Sequence, residues 1–173
     1  SDIVIPETPV IPGNPDLLTR EDIAQQIQSE QEACNCGGHG CLEQVASATG
    51  IVREAKRNLA ASDEASTMRD FGDALSARDV CDCAKAGDPL AVKTIDTSMY
   101  YLGRALATIS MVADPEIYVI GGGVSRAGQY LIDLVKKHYA DYTPILTKKA
   151  DIVLATLGND AGIYGSAKLV LTN

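Results

Sequence analysis

The 173-residue sequence has no run of 18 apolar residues and no basic-then-apolar opening, so neither a membrane-spanning helix nor a secretory leader is expected. A cytoplasmic protein with no membrane partner is the expectation. Positive charge is also short: 15 Lys and Arg stand against 23 Asp and Glu, a net charge of −8, which argues against direct nucleic acid contact because phosphate binding needs a basic patch. Histidine is scarce, with only His39 and His138 present. Two nucleotide-binding signatures are missing. Gly121-Gly122-Gly123 cannot complete G-x-G-x-x-G, because the last position is Arg126, and no G-K-[ST] follows at the spacing of a P-loop.

What is present suits a folded chain. Hydrophobic residues make up 46% and charged residues 22%, ordinary values for a globular protein, and the length suits one domain or one large lobe of a two-lobed protein. Residues 1–33 stand apart: Pro6, Pro9, Pro12 and Pro15 predict an extended arm, and Thr19-x-x-Asp22 predicts a capped helix to about Ala33. The stretch from Glu43 to about Leu59 reads as helical with a break at Gly50, and residues 61–75 read as a polar loop. Ser76-x-x-Asp79 is a capping box for a helix that Gly87 stops. Cys81 and Cys83 on that helix, two residues apart, point to different faces and read as packing residues rather than as a metal or redox pair. Asp88-Pro89 starts a long helix whose Ile95, Met99, Leu102, Leu106 and Ile109 form a stripe to be buried. Ile117 to Ile120 and Asp151 to Thr156 read as strands, each leading to a glycine turn and a helix. That repetition predicts an α/β fold with neighbouring parallel strands.

The densest chemistry lies in Cys34-Asn35-Cys36-Gly37-Gly38-His39-Gly40-Cys41-Leu42-Glu43. Three cysteines within eight residues, bent by glycines, can converge on one tetrahedral zinc, which leaves a fourth position to fill. His39 is one candidate for that position. A metal-free thiol cluster and a local disulfide are the plainer readings of the same spacing.

The C-x-C-G-x-x-G-C-L-E run, continued by Gln44-Val45-Ala46-Ser47-Ala48-Thr49-Gly50-Ile51-Val52, resembles the ROK family of bacterial sugar kinases and sugar-responsive repressors, and its continuation is most similar to the glucokinases. The resemblance runs from about Cys34 to Leu171. It implies the C-terminal lobe of an actin-like ATPase / ribonuclease H-like fold, with a zinc loop over 34–43, a helical part over 43–112 and strand–glycine–helix units over 116–171. It implies that Cys34, Cys36 and Cys41 bind structural zinc and that Glu43 hydrogen-bonds sugar hydroxyls. Gly121, Gly122 and Gly123 would lie against the adenosine of ATP, used with Mg2+. In that family the fourth zinc ligand is a histidine from a Glu-x-Gly-His motif. No such motif occurs here, so the ligand is absent, supplied from outside the chain or replaced by His39.

The resemblance also implies which parts are absent. The family's Asp-x-Gly-x-T/S phosphate turn and its catalytic aspartate do not precede Cys34, so no catalytic residue is assigned and the isolated chain is expected to be inactive, needing an N-terminal lobe. Asp160, in Leu157-Gly158-Asn159-Asp160-Ala161-Gly162, stands just before a helix and reads as a cap rather than as the general base. The expected function is ATP-dependent phosphorylation of a hexose, glucose above others, by a homodimer, dimerisation being usual in the family. The alternatives are the inducer-binding half of a sugar-responsive repressor and a zinc-stabilised module that serves only assembly.

Overall fold

The computed structural model describes residues 33–122, 128–143, 148–156 and 168 of the chain. The proline-rich arm, the Thr19 capping box, Gly123, Asp160 and, apart from the helical Lys168, the final helix expected after it lie outside the described residues. The chain divides into two compact units, residues 1–40 and 41–173.

In the first unit the described residues form a tight bend. Ala33 and His39 pair as an antiparallel bridge. Between them Cys34 N–H donates to Gly38 O at 2.7 Å and Gly37 N–H donates to Cys34 O at 2.8 Å. Gly37 has φ of +83°, a value that glycine adopts without a Cβ clash.

The second unit runs α1 (Glu43–Ala46), α2 (Ala48–Ala61), a 3-10 helix (Thr67–Ala74), α3 (Ala77–Lys85), α4 (Pro89–Ala113), β1 (Ile117–Ile120), α5 (Gln129–Asp141) and β2 (Asp151–Leu154). Its longest element, α4, begins as its sequence dictates: Asp88 accepts from Ala91 N–H at 3.0 Å and Pro89 takes the first turn, where no N–H is needed. The Ser76–Asp79 capping box forms in both directions at the start of α3. Gly87, with φ of +90°, follows the end of that helix.

Three expectations need correction. The break in the first helical stretch falls at Ser47, not Gly50, because Ser47 caps α2 by accepting from Gly50 N–H at 3.0 Å. Gly50 lies inside α2, where an added Cβ would come within 2.5 Å of Gln44 O, so glycine is there for close approach. Residues 61–75 are not simply loop. The carboxylate of Asp88 draws in Thr67 N–H at 2.6 Å, Ser66 Oγ at 2.8 Å and Thr67 Oγ1 at 2.9 Å, and the 3-10 turn so anchored buries Met68 completely. Ile109, placed on the buried stripe of α4, is 47% exposed. Its neighbour Ser110 is buried instead, bonded through Oγ to Tyr118 Oη and Tyr139 Oη at 2.9 Å each.

The rest of the stripe packs as expected, with Ile95, Met99 and Leu106 in a core shared with Ile51, Val80, Leu131, Ile132 and Ile152. Cys81 and Cys83 both lie in that core. Helices α4 and α5 approach so closely that a Cβ on Gly103 would sit 2.8 Å from both His138 Cβ and Tyr139 N. Where they meet, His138 Nε2 lies 2.9 Å from Asp96 Oδ1. That hydrogen bond holds the Asp96 carboxyl below its ordinary range despite partial burial.

β1 and β2 are parallel, in the register Ile117↔Asp151 through Ile120↔Leu154. Helix α5 is the crossover that a parallel pair requires. Burial alternates with the pleat: Ile152 is buried and Tyr118 half-buried, while Ile117, Val119 and Val153 are exposed.

Candidate functional site: a cysteine loop leading into an acidic helix start

The bend at residues 33–41 exists because glycines turn the chain back within a few residues, and it gathers the sulfurs. Those of Cys34, Cys36 and Cys41 lie within 4.8 Å of one another. Cys36 is exposed and the other two are half-buried. A tetrahedral zinc with Zn–S bonds of ~2.3 Å sets its sulfurs about 3.8 Å apart, not far below the separation here, and three thiolates are a chemistry zinc favours. His39, in the same loop, is exposed and is not part of that group.

The other cysteines contrast with these. Burial pushes the Cys81 thiol up to about 11, with Lys85 only partly opposing the rise, so it stays protonated at neutral pH and is a poor ligand and a poor nucleophile. Cys81 and Cys83 belong to no cluster of metal-ligating groups among the described residues.

From Cys41 the chain passes directly into α1: Gln44 N–H donates to Cys41 O at 2.9 Å and Ala46 N–H to Leu42 O at 2.9 Å. Glu43 is the first residue of that helix and is exposed. Its Oε1 accepts from Thr49 Oγ1 at 3.4 Å, and Thr49 Oγ1 lies 2.9 Å from Ser47 Oγ. The sequence reading noted neither hydroxyl. The available signal was a serine three residues before Gly50, at the N-cap position of a helix that opens Ala-Thr-Gly. Deeper in the same helix, burial raises the Glu54 carboxyl above its usual range, with Lys93 opposing.

The glycine turn follows β1, on an element separate from Glu43. Ala155 N–H donates to Ile120 O at 2.8 Å, extending the strand pairing to the edge of the turn. Gly122 has φ of +78° and so needs to be glycine, whereas a Cβ on Gly121 would make only ordinary contact with Ala155 Cβ at 3.5 Å. Gly123 lies outside the described residues.

The family model described as ROK family matches residues 24–173. The chain belongs to the ROK family. Among its ROK relatives, the glucokinase of Halalkalibacterium halodurans is 44% identical over 140 residues, an alignment that covers 79% of this chain and 42% of that protein. A solved ROK family glucokinase from Streptomyces griseus, in complex with glucose and AMPPNP, superposes with a TM-score of 0.69 at 29% identity, covering 81% of this chain and 47% of that one. A solved ROK family transcriptional regulator, a homologue of the E. coli MLC protein, superposes with a TM-score of 0.58 at 31% identity, covering 75% of this chain and 32% of that one. The chain thus spans less than half the length of these proteins. Its mixed α/β architecture agrees with the actin-like ATPase fold of its ROK sugar-kinase neighbours. No described helix is long and apolar enough to cross a membrane.

Proposed function

We propose that this chain is part of an ATP-dependent hexose kinase, a glucokinase, that transfers the γ-phosphoryl group of ATP to the 6-hydroxyl of glucose. The observation that carries this reading is the 44% identity to a glucokinase across a stretch that includes most of the chain. The chain would be the C-terminal lobe of such an enzyme, working in the cytoplasm as a homodimer.

On this reading Glu43 accepts hydrogen bonds from sugar hydroxyls, a task for which an ionised carboxylate has about four acceptor sites. Gly121, Gly122 and Gly123 form the floor under the adenosine, where the lack of side chains lets the nucleotide approach the backbone. Cys34, Cys36 and Cys41 would hold zinc. The metal supplies a cross-link that fixes the loop and thereby where α1 and Glu43 begin. Magnesium bound with ATP neutralises charge on the β- and γ-phosphates. Residues outside this chain would hold those phosphates and supply the carboxylate that takes the proton from the attacking hydroxyl, as no residue here is assigned that role.

The experiment is to compare ATP-dependent phosphorylation of glucose by the polypeptide from the complete reading frame and by these 173 residues alone. Activity in the first and none in the second is expected. Glucose-independent behaviour of the complete polypeptide would overturn the kinase reading.

A second reading is supported by the likeness to the transcriptional regulator. In it the chain is the inducer-binding half of a sugar-responsive repressor, with DNA contact made elsewhere. Operator binding released by sugar, with no turnover of ATP, would mark it.

A further inference from the structure

We propose that Thr49, backed by Ser47, is a positioning residue that orients the Glu43 carboxylate for sugar hydroxyls, an inference that rests on the sugar-kinase reading above. Three hydrogen bonds link Gly50, Ser47, Thr49 and Glu43. Ser47 Oγ accepts from Gly50 N–H at 3.0 Å. Ser47 Oγ and Thr49 Oγ1 are 2.9 Å apart, and Thr49 Oγ1 is 3.4 Å from Glu43 Oε1. An ionised carboxylate only accepts, so the Thr49 proton points at Glu43. Thr49 then receives the proton of Ser47, whose lone pair already serves Gly50. The result is a one-way chain from Gly50 N–H through Ser47 and Thr49 to the carboxylate.

This chain has two consequences. Each hydroxyl is polarised by the one behind it, and the series starts from an amide at the N-terminus of α2, the end of a helix that favours negative charge. The glutamate side chain, exposed and carrying several rotatable bonds, is biased toward one arrangement before sugar arrives, which lowers the ordering cost of binding. The 3.4 Å separation is longer than an ordinary O–H···O bond, so the contact biases the direction of the carboxylate rather than locking it. Thr49 thus acts through Glu43 and does not itself touch the sugar.

The test uses the polypeptide from the complete reading frame as wild type, Thr49→Val and Thr49→Ser, with glucose and ATP varied separately. Thr49→Val keeps the shape and removes the hydroxyl. It should raise the glucose KM about three- to tenfold while the ATP KM, the bound zinc and the melting temperature hold, and Thr49→Ser should return the glucose KM to within about twofold of wild type. An unchanged glucose KM in Thr49→Val would overturn the inference. So would a parallel loss of zinc and melting temperature, which marks a purely structural residue, or a failure of Thr49→Ser to rescue. A wild-type polypeptide that neither binds nor phosphorylates a hexose would sink the sugar-kinase reading itself and this inference with it.

Discussion

The five cysteines fall into two sets that share a side chain and little else. Cys34, Cys36 and Cys41 lie in a glycine-bent loop, partly open to solvent and with sulfurs gathered within 4.8 Å. Cys81 and Cys83 sit on α3, buried among Val80, Ala84 and their core neighbours. In the loop the backbone turns so that thiols meet each other. On the helix the backbone separates them and apolar packing surrounds each one. Environment, not residue type, makes one set a candidate ligand set and the other core.

Breaking the first set should have the largest effect. On the zinc reading, Cys36→Ser releases the metal and lowers stability by about 4 kcal/mol, and sugar affinity falls with it. Metal content per chain, melting temperature and glucose affinity measured on one preparation check this. A fall in affinity with zinc and stability intact would show that the loop acts on sugar directly.

The core should break without the loop noticing. Gly103→Ala forces a methyl against His138 and Tyr139 and is expected to cost about 2 kcal/mol. Denaturant unfolding reads the cost, and zinc content should not change. Glu43→Gln sharpens the other side, weakening sugar binding about tenfold at unchanged zinc and unchanged stability. Titration of glucose with metal analysis alongside separates the two quantities.

Smaller effects come from the buried cysteines. Cys81→Ala should cost about 1 kcal/mol and leave zinc in place. In the metal-stripped native protein, a thiol reagent at pH 8 should label the loop cysteines well before Cys81, whose thiol is pushed up to about 11 by burial. Rapid labelling of Cys81 in the native state would remove the contrast.

The smallest effect is electrostatic. Burial works to raise the Asp88 carboxyl, but hydrogen bonds from Ala91 N–H, Ser66 and Thr67 overcome it and hold the group below its ordinary range. A folded value below the unfolded one means that the stability it contributes is present above about pH 4, where the unfolded carboxyl is ionised, and is lost as pH falls through the folded value. The acid limb of a melting-temperature profile should therefore be shallower in Asp88→Asn than in wild type.

Local chemistry explains what could be read in advance. Ser76 with Asp79, Asp88 with Pro89, and Gly87 signal helix ends through groups a few residues apart, and each stands where expected. The parallel strand pair was legible for the same reason, from short apolar runs that each precede a glycine turn. What escaped depends on distant partners. Gly50 marks close approach to the Gln44 backbone, not a break. The 3-10 helix forms because Asp88, more than 20 residues further on, completes its first turn. Ser110 displaces Ile109 from the buried face because two tyrosine hydroxyls reach it, which no apolar period encodes. At the candidate site the cysteine cluster was legible from spacing. The hydroxyl chain behind Glu43 was not, because it depends on where Ser47 stops one helix and starts the next.

The Asp88 anchor also bears on the order in which the second unit folds. By tying Ser66 and Thr67 to the first turn of α4, it closes a segment of 21 or 22 residues with a single carboxylate. Short closures cost little chain entropy, so α3, the 3-10 helix and the start of α4 have what they need to assemble early. The β1–β2 pairing spans a longer separation, Ile117 to Asp151, and must wait for α5 to be laid down between them. A nascent chain emerging from the ribosome would therefore acquire its helical scaffold first and its parallel strand pair last.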